Sequence, residues 1–149
     1  MATDTFYVNI ADPAVIVTVE AGTPNRIVRT LDVPSPGPHG LDLDTAANRL
    51  FCACDGKLLV CLDAYSGQVL NKLPLGGVPD VIFLNAQLRH LYVAIGDPGI
   101  IEMFDIDSMQ RISVTQTESG AHTIAFDPST NKVYAFLPQS HQAAVYVDQ

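Results

Sequence analysis

An internal repeat of about 42 residues constrains this 149-residue chain more than any other feature of its sequence. Three apolar runs that end in Asp or Asn begin 41 and 42 residues apart, at Gly40–Asp44, Val81–Asn85 and Thr123–Asp127. Seven residues after each terminal Asp or Asn stands an aromatic residue of a second run: Phe51, Tyr92 and Tyr134. A third run closes with an acid, at Glu20, Asp63, Asp105 and Asp148. Periods of about 20 to 50 residues are typical of solenoids and propellers, so the repeat decides the fold.

Turn residues separate these apolar runs and divide each repeat into four short segments. Asp44, Asn85 and Asp127 start chain reversals, because such side chains accept hydrogen bonds from backbone N–H groups two residues on. The runs are about four to six residues long and rich in Val, Ile, Tyr and Phe, which favours strands over helices. The sequence therefore predicts an all-β fold of four-stranded antiparallel blades, the unit of a propeller.

The order of the repeats predicts a single β-propeller segment over 1–149, with 14 strands in about 3.5 blades. Strands two to four of one blade lie in 5–37, two whole blades in 38–77 and 78–120, and strands one to three of another in 121–149. A closed propeller has about four to eight blades. We therefore expect either a longer propeller or a homo-oligomer that forms through the end blades, whose open faces expose apolar area.

Composition limits the possible partners. The net charge of −8, from 8 Lys and Arg against 16 Asp and Glu, excludes a broad basic surface for nucleic acid. No apolar run approaches the roughly 18 residues that span a bilayer, and the first residues lack the features of a secretory signal, so membrane insertion is not expected. Cys52, Cys54 and Cys61 lie inside strand-like runs, which favours core packing over a disulfide framework or a thiolate metal site.

The repeats resemble the YVTN-type β-propeller family, whose blades look similar to NHL repeats. The resemblance rests on the segments Tyr7–Ile10 and Tyr92–Ile95, on the entries at Pro38–Gly40 and Pro79–Val81, and on the turn Asp63–Gly67. It implies a binding or scaffold protein, periplasmic or at the cell surface if a leader precedes this sequence and cytoplasmic otherwise. Similar blades also carry lyases and lactonases, so the fold leaves the function open.

Three polar residues stand directly before the first strand of successive repeats: His39, Asp80 and His122. The first strand of a propeller blade is innermost, so these side chains are expected around the mouth of the central channel. Imidazole and carboxylate groups bind zinc, copper or non-haem iron, which makes them a candidate site for a divalent transition metal. Asp42 is the candidate catalytic residue, as a base or as a partner of His39. Structural or solvated roles are the alternative interpretation.

Two functions follow from these observations. The first is a non-catalytic binding scaffold without a cofactor, which contacts a protein or small molecule at the channel mouth. The alternative is a metal-dependent lyase or lactonase/hydrolase, with its ion on His39, Asp80 and His122. The sequence contains no nucleophile elbow, phosphate-binding loop or pair of catalytic acids, which favours the scaffold.

Overall fold

The computed structural model describes residues 4–22 and 24–149 of the chain. Fourteen strands form four antiparallel sheets of three, four, four and three strands, and the described residues contain no helix. The predicted all-β fold is confirmed, with its 14 strands and its incomplete sheets at both ends. No segment of the described ranges is therefore a helix with the length and apolar character needed to cross a bilayer.

Each sheet is formed by strands that follow one another in the sequence. Sheet 1 contains β1 (Thr5–Ile10), β2 (Val15–Glu20) and β3 (Arg26–Asp32). Sheet 2 contains β4 (Pro38–Asp44), β5 (Arg49–Cys54), β6 (Leu58–Asp63) and β7 (Val69–Pro74). Sheet 3 contains β8 (Pro79–Asn85), β9 (His90–Ile95), β10 (Ile100–Asp105) and β11 (Gln110–Gln116). Sheet 4 contains β12 (Ile124–Asp127), β13 (Lys132–Leu137) and β14 (Gln142–Val147).

The same turn chemistry starts the second strand of sheets 2, 3 and 4. A side-chain oxygen of Asp44, Asn85 or Asp127 accepts a hydrogen bond from the backbone N–H two residues on, at 3.2, 3.2 and 2.9 Å. The last residue of each of these turns has a positive φ of 53 to 62°: Asn48, Arg89 and Asn131. The repeated Asp or Asn therefore fixes where each first hairpin reverses.

The four sheets pack face to face in sequence order, and three apolar clusters fill the spaces between them. The first strands β4, β8 and β12 lie next to one another in successive sheets. The middle strands β5, β6, β9 and β10 are buried on both faces, which explains their almost unbroken apolar sequences. We call the interface between sheets 2 and 3 junction A, and the interface between sheets 3 and 4 junction B.

Within residues 4–22 and 24–149, each end sheet has one apolar face that no other sheet covers. Side chains opposite one another on paired strands share a face, so the registers of β1 with β2 and of β13 with β14 define both surfaces. We call them the N-terminal face (Phe6, Val8, Val15, Val17 and Ile27) and the C-terminal face (Tyr134, Phe136, Ala143, Val145 and Val147).

The structure corrects the alignment of the last acid. The spacing of the acids aligns Asp148 with Asp105, at the end of the third strand. In the structure the backbone N–H of Asp148 donates to the carbonyl oxygen of Asn131 at 3.0 Å, the bond that Ile106 makes with Arg89 in sheet 3, also at 3.0 Å. Asp148 therefore occupies the position of Ile106, which is one residue further along and on the other face of the strand.

The three cysteines are free and buried, as core packing predicts. The sulfur atoms of Cys52 and Cys54 lie 3.8 Å apart in the cluster between sheets 1 and 2. Cys61 is paired with Phe51 in the register of β5 and β6, so its side chain lies on the other face of sheet 2, in junction A. The thiol of Cys61 therefore does not approach the other two, because a one-residue offset along a strand reverses the face.

Candidate functional site

The three polar residues predicted to surround the channel mouth lie side by side. His39 and Asp80 are the second residues of β4 and β8, and His122 stands two residues before β12. The Nε2 atom of His39 is 3.0 Å from Oδ1 of Asp80, and Nε2 of His122 is 3.7 Å from Oδ2 of the same carboxylate. Because the first strands of successive sheets are neighbours, the side chains at their starts come together across both junctions.

A fourth residue, Asp55, extends this group. Its Oδ1 atom lies 3.1 Å from Nδ1 of His39, so the four side chains form a row in the order Asp55, His39, Asp80, His122, which we call the rim row. The linear sequence marks Asp55 only as a turn residue before Gly56. The register of the β4–β5 hairpin would identify Asp55 as a neighbour of His39. Cys54 pairs with Pro38, so the turn that begins at Asp55 lies beside His39.

The chemistry of the rim row is that of a solvated hydrogen-bonding surface. Its four side chains are between 32 and 55 % exposed, and ion pairs at such exposure are weak. Each ring nitrogen of His39 faces a carboxylate oxygen, so a metal ion would have to displace one of them. Among residues 4–22 and 24–149, no three His, Cys, Asp or Glu side chains form a group that could hold one metal ion. Metal binding at this mouth stays a prediction.

Asp42 joins two sheets through backbone hydrogen bonds. Its Oδ2 atom accepts from the N–H of Leu84 in β8 at 2.7 Å, and its Oδ1 atom accepts from the N–H of Leu43 at 2.7 Å. Burial raises the pKa of this half-buried carboxyl above its usual value, and the two backbone bonds oppose that rise. The ring of His39 meets Asp55 and Asp80, so Asp42 is not its bonded partner. A catalytic role for Asp42 stays a prediction.

Junction A contains an ionic cluster around Asp44, which lies at the opposite end of β4 from His39 and the rim row. The Asp44 side chain is 1 % exposed, and its Oδ2 atom accepts from Nη2 of Arg89 at 2.8 Å and from Nη2 of Arg49 at 2.9 Å. Asp107 closes the cluster by accepting from Arg89 at 2.9 Å. The hydrogen bonds from the two guanidinium groups, that of Arg89 foremost, hold the pKa of Asp44 far below its usual range.

Junction B has a different polar network at the equivalent place. Asp148 accepts from the hydroxyl of Tyr92 at 2.7 Å and lies 2.7 Å from Nδ1 of His90, while Asn85 donates to the Tyr92 oxygen at 3.0 Å. Burial, and then donation to Asp148, raises the pKa of Tyr92. His90 begins β9, and its ring is largely buried against Asp148.

The fold is similar to solved β-propeller structures. Hydrazine synthase from Kuenenia stuttgartiensis matches with a TM-score of 0.78 and 13 % identity, over 96 % of this chain and 46 % of that one. A functionally unknown protein from Desulfotomaculum acetoxidans DSM 771 matches with a TM-score of 0.74 and 12 % identity, over 96 % and 50 %. The chain thus spans about half the length of either protein. Such low identity shows the fold alone.

Sequence comparisons add no family to this result. No family model matches the chain, and no curated protein matches it in sequence. The resemblance to YVTN-type repeats therefore stays a prediction, and the fold, a partial β-propeller of four-stranded blades, is what the likeness to solved structures shows.

Proposed function

We propose that this chain is a non-catalytic β-propeller scaffold without a cofactor, and that two copies join head to tail through their end faces. The observation that carries the proposal is the exposure of apolar side chains whose counterparts are buried at junctions A and B. Monomeric soluble proteins rarely expose contiguous apolar surface of this kind, and such patches mark protein interfaces.

The C-terminal face repeats the surface with which sheet 3 meets sheet 4. Tyr134 and Phe136 in β13 hold the positions that Tyr92 and Ala94 hold in β9. The first pair is 37 and 52 % exposed, whereas the second pair is 2 and 0 % exposed. Tyr134 and Phe136 are therefore placed to be covered by a further sheet.

The N-terminal face repeats the surface with which sheet 3 meets sheet 2. Phe6 and Val8 in β1 hold the positions of Leu91 and Val93 in β9, since four residues separate each of these strands from the next. Phe6 and Val8 are 43 and 38 % exposed, whereas Leu91 and Val93 are fully buried. Each open face thus has the pattern of one side of an internal junction. The C-terminal face resembles the side of a sheet that meets the following sheet, and the N-terminal face resembles the side that meets the preceding sheet.

This complementarity favours a second copy as the occupant. The C-terminal face of one copy would meet the N-terminal face of the other, as sheet 2 meets sheet 3 within the chain. Two copies supply eight sheets, within the range of about four to eight blades that close into a propeller. A contact between two different faces forms a closed ring when its rotation closes, and here two such contacts would close it.

The rim row is the surface that we propose for contact with a protein or small-molecule ligand. Its carboxylate and imidazole groups lie within 3.7 Å of one another and stay partly exposed at the edge where β4, β8 and β12 begin. The alternative, a metal-dependent lyase or lactonase, needs about one ion per chain on His39, Asp80 and His122. Metal analysis of protein prepared without a His-tag separates the two, because only a bound ion would be lost in a His39→Ala/His122→Ala variant.

Light scattering coupled to size-exclusion chromatography tests the association. We expect a species of twice the 16.0 kDa chain mass at micromolar concentration. The variants Phe6→Arg and Phe136→Arg each place a charge in both contacts of the ring, so each is expected to be monomeric. Ile112→Arg, at an exposed apolar residue of β11 outside both faces, is the matched control and is expected to stay dimeric.

Mixing the two face variants tests the head-to-tail arrangement. A Phe136→Arg copy keeps its N-terminal face and a Phe6→Arg copy keeps its C-terminal face, so the mixture is expected to form a dimer through one intact contact. A face that pairs with itself predicts instead that one of the two variants stays dimeric alone. A wild-type chain that remains a folded monomer would overturn the proposal.

A further inference from the structure

Junction B contains a cavity that both of its sheets line. The cavity lies between sheets 3 and 4, away from the rim row, and has a volume of about 90 Å³. Apolar side chains from both sheets form most of its wall, among them Ile101, Met103, Val133 and Tyr146. An apolar cavity of about 150 Å³ holds a benzene molecule, so this smaller one has room for a short alkyl group.

A carboxylate lines this cavity. The Asp148 side chain is 8 % exposed, and its Oδ2 atom accepts from Tyr92 and lies 2.7 Å from Nδ1 of His90. In residues 4–22 and 24–149, no donor bonds the other oxygen, Oδ1. Oδ1 is not one of the buried side-chain oxygens that lack a partner, so this atom is open to water or to a ligand.

One residue of the cavity wall differs from its counterparts in sheets 2 and 3. Asp148 holds the place of Ile106, which is 1 % exposed and belongs to the apolar cluster of junction A. The same place in sheet 2 holds Ala64, which is also buried and apolar. Sheet 4 therefore has a carboxylate where sheets 2 and 3 have a buried hydrocarbon side chain.

Two hydroxyl groups add further polar contacts to the wall. Ser113 and Thr115 alternate along β11 and both line the cavity, where they are half-buried. Within the described part of the chain, neither hydroxyl makes a hydrogen bond to another protein group. A pocket with apolar walls and a few polar groups that converge on it is the usual form of a small-molecule site.

We propose that this cavity binds a small organic ammonium compound, whose ammonium group donates to Oδ1 of Asp148 and whose short alkyl chain packs on Ile101, Met103 and Tyr146. The carboxylate selects a cation that donates hydrogen bonds, and charge-assisted bonds of this kind are about twice as strong as neutral ones. The rings of Tyr92 and Tyr146 line the same cavity and attract cations through their faces. The cavity shares Val147 with the C-terminal face and shares no lining residue with the rim row.

Titration of the wild-type protein with n-butylammonium chloride, followed by the backbone amide signals in two-dimensional NMR, tests the proposal. We expect saturable shifts confined to β10, β11, β13 and β14. Neutral 1-butanol has the same chain length without the charge, and its binding is expected to be about tenfold weaker or more. Equal binding of the amine and the alcohol would overturn the proposal, and so would the absence of saturable shifts at these strands.

Three variants locate the contact. Asp148→Asn is expected to weaken n-butylammonium binding about tenfold and to leave 1-butanol binding unchanged, because only the charge is removed. Asp127→Asn, at an exposed carboxylate outside the cavity, is the matched control and is expected to bind as the wild type does. Ser113→Leu fills the cavity from β11 and is expected to abolish the binding of both compounds. Unchanged amine affinity in Asp148→Asn would show that the carboxylate is not the contact.

Discussion

Junctions A and B have different polar networks at the same four positions of the repeat. These positions hold Asp44, Arg49, Arg89 and Ile106 at junction A, and Asn85, His90, Asn131 and Asp148 at junction B. In junction A the carboxylate belongs to the first turn and two guanidinium groups surround it. In junction B it stands after the third strand, where a tyrosine hydroxyl and an imidazole meet it.

The comparison shows that the repeat fixes the backbone of a junction but not its polar contacts. Junction A buries the carboxylates of Asp44 and Glu102, the latter accepting from the backbone N–H of Gly76, whereas the buried carboxylate of junction B is that of Asp148. Junction A is packed and ionically closed, whereas junction B keeps a cavity of about 90 Å³. We infer that junction A contributes stability, whereas the less complete packing of junction B leaves space for the proposed binding site.

The largest effect is expected from Asp44→Asn, which gives junction A the residue that junction B has at that position. The amide can still accept the turn hydrogen bonds, but Arg49 and Arg89 lose their buried counterion. Removing one partner of a buried ion pair costs about 3 to 5 kcal/mol. We expect a loss near about 3 kcal/mol in the free energy of unfolding, measured by urea denaturation.

Asp127→Asn is the matched control for this substitution. Asp127 starts the same turn in sheet 4, but its side chain bonds Ser129 and Thr130 and is exposed. Its replacement is expected to leave the unfolding midpoint close to that of the wild type. Equal losses in the two variants would show that the turn, and not the ion pair, accounts for the cost of Asp44→Asn.

A second prediction concerns acid stability. The folded pKa of Asp44 lies below its unfolded value of about 3.9. Its contribution to stability is therefore fully present above that value and is lost as the pH falls below it. We expect the wild type to lose about 2 kcal/mol between about pH 5 and pH 2 through this group, by urea denaturation at each pH. Asp44→Asn should show a shallower pH dependence, and an unchanged slope would contradict the assignment.

The sequence predicted the fold because its turn residues recur at fixed places. Asp44, Asn85 and Asp127 each begin a hairpin, so the spacing of the turns is enough to count four strands in each repeat. The neighbourhood of His39, Asp80 and His122 also followed from the repeat, because all three stand at or just before the start of a first strand. What could not follow was Asp55, which reaches His39 only through the register of a hairpin.

The register of β14 was the other feature that the sequence could not determine. Asp148 ends an apolar run just as Asp105 does, and the two runs differ by a shift of one residue. A shift of one residue along a strand moves every side chain to the other face. The spacing alone therefore aligned Asp148 with Asp105 at the end of the third strand, whereas backbone pairing with Asn131 places it inside junction B.

A third prediction makes junction B resemble junction A. Asp148→Ile replaces the carboxylate with the residue that junction A has there and fills part of the cavity. The substitution removes only one partner of the network, so His90 and Tyr92 lose their acceptor, and a buried donor left without a partner costs about 1 to 3 kcal/mol. The added hydrocarbon packing offsets part of this cost, so we expect a net loss of about 1 kcal/mol by urea denaturation. A gain in stability would show that the packing of isoleucine outweighs the network.

The same variant has a spectroscopic consequence. Donation to Asp148 is the second cause of the raised pKa of Tyr92, after burial. Removal of the carboxylate is therefore expected to lower that pKa toward the usual value, although burial continues to raise it. Ultraviolet titration of tyrosinate measures this change, with Tyr92→Phe to identify the signal. An unchanged pKa in Asp148→Ile would contradict the hydrogen bond.

The smallest effects are expected at the rim row, which crosses both junctions. His39 spans junction A and lies 3.0 Å from Asp80, whereas His122 spans junction B and lies 3.7 Å from it. Exposed ion pairs contribute about 0 to 1 kcal/mol, and the contribution falls with distance. We expect His39→Ala to lower the thermal midpoint slightly and His122→Ala less, at pH 6 and low salt.

The salt dependence of this pair of variants decides what the rim row contributes to the junctions. Exposed charges are screened within about 10 Å at 0.1 M salt, so the difference between the two variants should shrink as salt is added. A difference that persists in high salt would mean that the rings support the junctions by packing. In that case the rim row would be part of the scaffold, and the contact surface of the propeller would have to be sought at its end faces and in the cavity of junction B.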